Sequence, residues 1–153
     1  MICISLWQPW ASALFAPRPG GSLLAIKPDE TRHWPLPGRL IGKEIGIHAA
    51  KRDTRDEREF WNDIVLSNVE FRRAFVEIGI YNYSTLPRGA IIGSVVFASP
   101  IRTESAKPDE FARTWGNHGP ERFSWPVAHR TFYMTPIPCV GHQGFFEAEV
   151  NLS

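Results

Sequence analysis

Proline and glycine punctuate this chain almost throughout: thirteen prolines and twelve glycines are spread through 153 residues. Proline breaks helices and glycine favours turns, so most of the chain can form only short strands and short helices. The one long exception is the stretch between Lys51 and Gly79, where neither residue occurs. That stretch is the expected helical region. Asp53 can cap a first helix that carries Asp56 and Glu57 in its opening turn and Phe60, Trp61, Ile64 and Val65 on one face. Ser67-Asn68-Val69-Glu70 reads as a capping box for a second helix, which presents Phe71, Phe75 and Ile78 before Gly79 ends it.

Outside that region the period is two. Ile2, Ile4 and Leu6 alternate with Cys3, Ser5 and Trp7 as in a strand with one buried face, and a short helix containing Trp10, Ala13 and Leu14 follows. Ser22 to Ile26 is a possible brief strand. The segment after it, Lys27 to Trp34, is too polar and proline-bounded to belong to the core. Glu44 to Lys51 reads as a strand, and Leu86 to Ala98 as a strongly buried one. Pro108-Asp109-Glu110 opens a short helix through Trp115. Two or three short strands close the chain, over Arg122 to His129, Thr131 to Met134 and Gly144 to Val150. The expected class is α+β: a mixed β-barrel with flanking helices, one domain over 1–153, with a helical insertion at about 53–79.

A hydrophobic share of 43% suits one such domain. Seventeen Lys and Arg balance 16 Asp and Glu, so global charge gives no sign of a nucleic-acid binder, and any basic surface must be local. Cys3 and Cys139 form no metal-binding or CxxC spacing and read as buried reduced thiols. The five histidines lack ligand spacing. No metal and no cofactor are therefore expected. Met1 to Trp7 lacks a basic leader and Gln8-Pro9 cuts its apolar run, so neither a signal peptide nor a membrane span is expected, and the expected location is cytoplasmic.

Several motifs stand in an order that resembles one family. Ser5-Leu6-Trp7-Gln8-Pro9-Trp10-Ala11, Glu30-Thr31-Arg32-His33-Trp34 and Ile47-His48-Ala49-Ala50-Lys51 resemble three successive signatures of the ASCH domain, a relative of the PUA fold. Leu86 to Gly93 looks like the family's central strand, and Gly119 to Trp125 like its late aromatic motif. The resemblance implies a PUA-like mixed β-barrel with a cleft between barrel and helices. It also implies RNA binding, coactivator roles or, in some members, hydrolysis of RNA or nucleosides.

On that reading the cleft gathers Lys51, Arg32, Glu30, Ser124 and an aromatic wall, and the expected partner is single-stranded RNA or a nucleotide. Lys51 ends a strand and could meet a phosphate. Glu30 and Arg32, two apart, would share one side of an extended segment, either gripping a ligand or pairing with each other, with Lys27 as a third charge. Trp7, Trp10, Trp34, Phe123 and Trp125 are candidate stacking platforms, most of them expected in the core and Trp34 favoured, and Gln8 is a further candidate contact. Ser124 would face away from Phe123 and Trp125, towards the cleft, as a catalytic candidate: a nucleophile if a base lies within reach, otherwise a hydrogen-bonding group for a phosphate or base. His48 reads as a buried structural histidine ahead of a general base.

If RNA is cleaved, a metal-independent ribonuclease mechanism is expected, with Lys51 or Arg32 stabilising charge and Glu30 or His48 moving protons. One alternative is a nucleoside amidohydrolase acting on acylated cytidine. For that group Lys27 falls near the lysine position, while Glu30 stands where a hydroxyl residue is expected. The other is a non-catalytic, coactivator-like module with a protein partner.

Overall fold

The strand at the N-terminus, β1 (Ile2–Leu6), divides its side chains between two hydrophobic clusters, as a period of two requires. Ile4 and Leu6 enter the main core, and Cys3 enters a smaller cluster on the other face. This computed structural model describes residues 1–150; the last three residues of the expected domain lie outside the described residues. The short helix α1 (Trp10–Ala13) follows, and then β2 (Asp29–Arg32) and β3 (Glu44–Ala49).

The insertion comprises α2 (Arg55–Phe60), a π-helical turn over Trp61–Val65 and α3 (Val69–Glu77). After it come β4 (Ala90–Phe97), β5 (Ile101–Arg102), α4 (Glu110–Trp115), β6 (Phe123–Pro138) and β7 (Phe145–Glu147).

The strands form one mixed sheet in the order β2-β6-β4-β3-β1-β7, with β5 also on β6. It curls into a half-barrel that stays open between β2 and β7, so the expected α+β class holds and the barrel is not closed. β1 and β3 are parallel neighbours, while β4 and β6 run antiparallel through the centre. β4 is buried on both faces, Ile92 and Val95 facing the main core and Ile91 the other. At Gly93 a Cβ would lie 2.5 Å from the Thr131 carbonyl oxygen and 2.7 Å from the Phe15 ring, so only glycine lets β4, β6 and that ring approach so closely.

The insertion folds as its apolar spacing dictates: Trp61, Val65, Phe71 and Phe75 pack with Trp115 of α4 in a second core. Its caps lie one residue from the expected places. Thr54, not Asp53, caps α2 through a capping box with Glu57, and Asn68, not Ser67, accepts from the Glu70 and Phe71 amides. Ser22 to Ile26 forms no strand beyond a single Pro17–Ala25 bridge. The polar stretch excluded from the core is instead β2, whose Asp29, Glu30 and Thr31 are buried. Cys3 is buried and Cys139 partly so, both as free thiols. Among the described residues no helix is long and apolar enough to cross a membrane.

Candidate nucleic-acid interface

Because β1 and β3 run parallel in register, Leu6 opposite Ala49, their C-terminal ends emerge side by side. The Ala50 amide continues the ladder to the Leu6 carbonyl at 2.9 Å, and the next side chains out are Trp7 on one strand and Lys51 and Arg52 on the other. β4 begins beside them: the Gly89 amide donates to the Ala49 carbonyl at 2.7 Å, which brings Arg88 to the same end. Three chain segments thus deliver one tryptophan and three cations to one end of the sheet.

Trp7 is 51% exposed, unusual for the largest apolar side chain. The Arg52 guanidinium carbon lies 3.7 Å from its ring centroid, within cation–π distance. The Arg52 Nε donates at 2.5 Å to the buried carboxylate of Glu57, and its side chain remains 36% exposed. Arg88 donates through Nη1 to the Arg52 carbonyl at 2.5 Å, with its guanidinium carbon 5.1 Å from the Tyr83 ring centroid. Its Nη2 is buried without a partner. The Tyr83 hydroxyl donates to Asp53 at 2.5 Å. Lys51 is exposed. Gly89 leaves room for its stem: a Cβ there would stand 2.7 Å from Lys51 Cε.

Most of the charge around this end is paired. Arg52 pairs with Glu57, Arg55 with Glu59 and Arg58 with Asp53. Lys51 and Arg88 are the cations of this end for which no ion pair forms among the described residues. A ligand placed here meets an arginine held over a tryptophan ring and two unmatched positive groups.

The other expected site residues lie elsewhere. Glu30 takes Lys27 on Oε1 at 3.2 Å and Arg32 on Oε2 at 2.9 Å, while Lys27 also donates to the Trp115 carbonyl at 3.1 Å. Lys27 is 2% exposed and Glu30 7%, so of the two uses weighed for this wall, the internal ion-pair network is the one formed. Burial would raise the Glu30 carboxyl, but Lys27 and then Arg32 outweigh it and hold it below the usual range. No hydrogen bond or ion pair joins this network to Lys51 among the described residues.

Ser124 does face away from Trp125, but what it meets is not a cleft. Its hydroxyl is buried and donates to Asp29 Oδ2 at 2.5 Å, and the same oxygen takes His118 Nε2 at 2.8 Å. It stands as an internal hydrogen-bond donor, not an exposed nucleophile. Gln8 is fully buried, with Oε1 accepting from the Ser12 amide and Nε2 donating to Ser12 Oγ and the Pro87 carbonyl. Its amide fixes the entry to α1 and is not open to a ligand.

Trp10 is partly buried and packs 4.7 Å from Phe60 in the helical core, so it presents no free platform. His48 is buried, its Nε2 donating to the Cys139 carbonyl at 2.7 Å and its Nδ1 against Ser5 Oγ at 2.8 Å, and burial lowers its pKa. Both ring nitrogens are in use, which fits the structural role favoured for it. Trp34 is half exposed, with the Arg32 guanidinium carbon 5.8 Å from its ring centroid.

Arg52, Arg88 and Tyr83 were not legible as site residues. Arg52 follows Lys51 directly, but its pairing with Trp7 depends on parallel strand register, which local spacing does not encode. Among the described residues no group of three or more His, Cys, Asp or Glu is placed to hold a metal ion.

Fold and site together define an α+β half-barrel domain with a cationic, aromatic sheet end. Neither a protein-family model nor a curated protein matches the sequence. Solved structures do match, among them the crystal structure of ASCH from Zymomonas mobilis: 17% identity, covering 90% of this chain and 72% of that one, TM-score 0.43. A point mutant of the ASCH protein from the same organism matches at 15% identity, covering 90% of this chain and 74% of that one, TM-score 0.44. These neighbours are ASCH structures, the family whose motifs the sequence resembles. At such identity and superposition the likeness concerns the outline of the fold, and nothing about the site follows from it.

Proposed function

We propose that this chain binds single-stranded RNA at the sheet end formed by Trp7, Lys51, Arg52 and Arg88. The observation that carries this reading is the half-exposed Trp7 ring with the Arg52 guanidinium 3.7 Å from its centroid, directly beside exposed Lys51. An unstacked base can lie on an aromatic ring or on a guanidinium plane, and a phosphate can meet an ammonium. Arg88 adds a second positive charge beside Lys51 for which no ion pair forms among the described residues.

Two unmatched cations imply modest, shallow salt dependence: about 0.7 per phosphate contact on single strands puts the log–log slope near −1.4. Binding without cleavage suits the geometry, because Glu30 and His48, the groups expected to move protons, are both committed to internal partners.

Fluorescence anisotropy with short oligoribonucleotides across a salt series tests the proposal. Lys51→Met should reduce affinity and flatten the slope by about 0.7, while stability changes by less than about 1 kcal/mol, since the head is exposed and the stem keeps its packing. Absence of salt-sensitive binding by the native chain at low ionic strength would remove RNA as the ligand.

A further inference from the structure

Arg52 has an unusual place for an arginine over an exposed ring, because the acid that holds it is not on the surface. Glu57 is 1% exposed, and its two carboxylate oxygens have separate partners. Oε2 accepts from the Thr54 amide at 3.1 Å and from the Thr54 hydroxyl, completing the capping box of α2. Oε1 accepts from Arg52 Nε at 2.5 Å.

A cap needs only the first set. The second ties the buried start of the helical insertion to a guanidinium that stays 36% exposed over an exposed ring. Holding an arginine by Nε leaves both terminal nitrogens and one guanidinium face available, and the Arg52–Trp7 distance is the shortest cation–π distance among the described residues.

We infer that Glu57 is a positioning residue of the interface: it fixes the Arg52 guanidinium over the Trp7 ring, so that a nucleobase stacks on the outer face of a platform already formed. This rests on the RNA-binding reading above. The ligand class it defines is an unpaired base of any identity, because a guanidinium plane offers stacking but the clamp supplies no hydrogen-bond code for a base edge. The ordering cost of the long arginine side chain is met in the free protein rather than on binding.

The direct test compares a short oligouridylate with the abasic oligomer of equal length. The native chain should bind the intact strand about fivefold to tenfold more tightly, the lower range of one base stack. Glu57→Gln keeps the size of the side chain but turns an amide N–H towards Arg52 Nε–H, so the clamp opens. The margin for bases should collapse, while abasic affinity should not fall and the salt slope should if anything steepen, by up to about 0.7, because Arg52 loses its acid.

Arg52→Lys, which retains the charge and leaves the buried cap untouched, should lose the same margin, and it decides the matter if Glu57→Gln does not fold. Independently of RNA, the Arg52 Nε–H proton resonance should be displaced by the Trp7 ring current in the native chain and return towards the free value in Glu57→Gln.

If folded Glu57→Gln retains both the base margin and the ring-current shift, Glu57 only caps α2 and the inference is wrong. Where Glu57→Gln does not fold, a base margin preserved in Arg52→Lys overturns it equally. A native chain that shows the ring-current shift but binds neither oligomer at low salt overturns the RNA reading while leaving the clamp standing.

Discussion

Lys51 and Gly89 act as one unit across two strands. Gly89 has φ +64°, the left-handed region, and the space above its Cα holds the Lys51 stem. A methyl group there meets two penalties, since the conformation is strained for any side chain and Cε of Lys51 would lie 2.7 Å away. Gly89→Ala should cost about 1–3 kcal/mol from the backbone strain, and it should also displace Lys51 and weaken RNA binding. Lys51→Met should affect binding alone. Urea denaturation and anisotropy on the two variants separate these outcomes, and a Gly89→Ala chain of native stability would show that the turn tolerates a side chain. The Lys51 candidate was legible from its position after an alternating run. The glycine that seats it was not, because the contact lies between residues 38 apart in the chain.

Among the elements, legibility followed the hydrophobic signal. β1, β3 and β4 carry apolar residues at a period of two or in a continuous run, and all three lie where the pattern places them. β2 has no apolar residue at all in Asp29-Glu30-Thr31-Arg32, so a pattern based on hydrophobicity cannot see it. Its burial rests on charge pairing, which only the folded partners reveal. The sequence pattern suggests separate strands over Arg122 to His129 and Thr131 to Met134, with Pro136 ending the second, yet β6 runs unbroken from Phe123 to Pro138. Its register against β4 slips beside Pro126 and again across Pro136, where bulges tolerate a missing amide donor.

The β2 network makes a sharp prediction. Lys27→Met leaves a buried carboxylate with Arg32 alone, and breaking a buried pair costs about 3–5 kcal/mol. Adding Glu30→Gln removes the uncompensated charge, so the double variant should recover part of that loss. A double-mutant cycle by urea denaturation reads the coupling, and simple additivity would mean that the Lys27–Glu30 contact has no energetic weight.

At the scale of the whole molecule, these buried groups should give the chain an acid limb with two steps. His48 ties three segments together, since Ser5 lies on β1, His48 on β3, and the Cys139 carbonyl just past β6. Burial lowers its pKa from 6.5, so the folded state refuses a proton that the unfolded chain accepts. Its contribution to stability is therefore complete above about pH 6.5 and declines as the pH falls below that value.

The second step belongs to the carboxylates. Burial pushes Glu30 and Glu57 upward, but Lys27 with Arg32 in one case, and Thr54 with Arg52 in the other, hold both below 4.5. Their stabilisation is present above that unfolded value and is lost as the pH falls through the lower folded one. Thermal melts between about pH 3 and 8 should show a gentle loss starting near neutrality and a steeper one below about pH 4.5. His48→Gln retains a donor for the Cys139 carbonyl but cannot titrate. It should flatten the profile between about pH 5 and 7 and leave the lower step in place, whereas an unchanged slope in that window would mean that His48 does not set the upper limb.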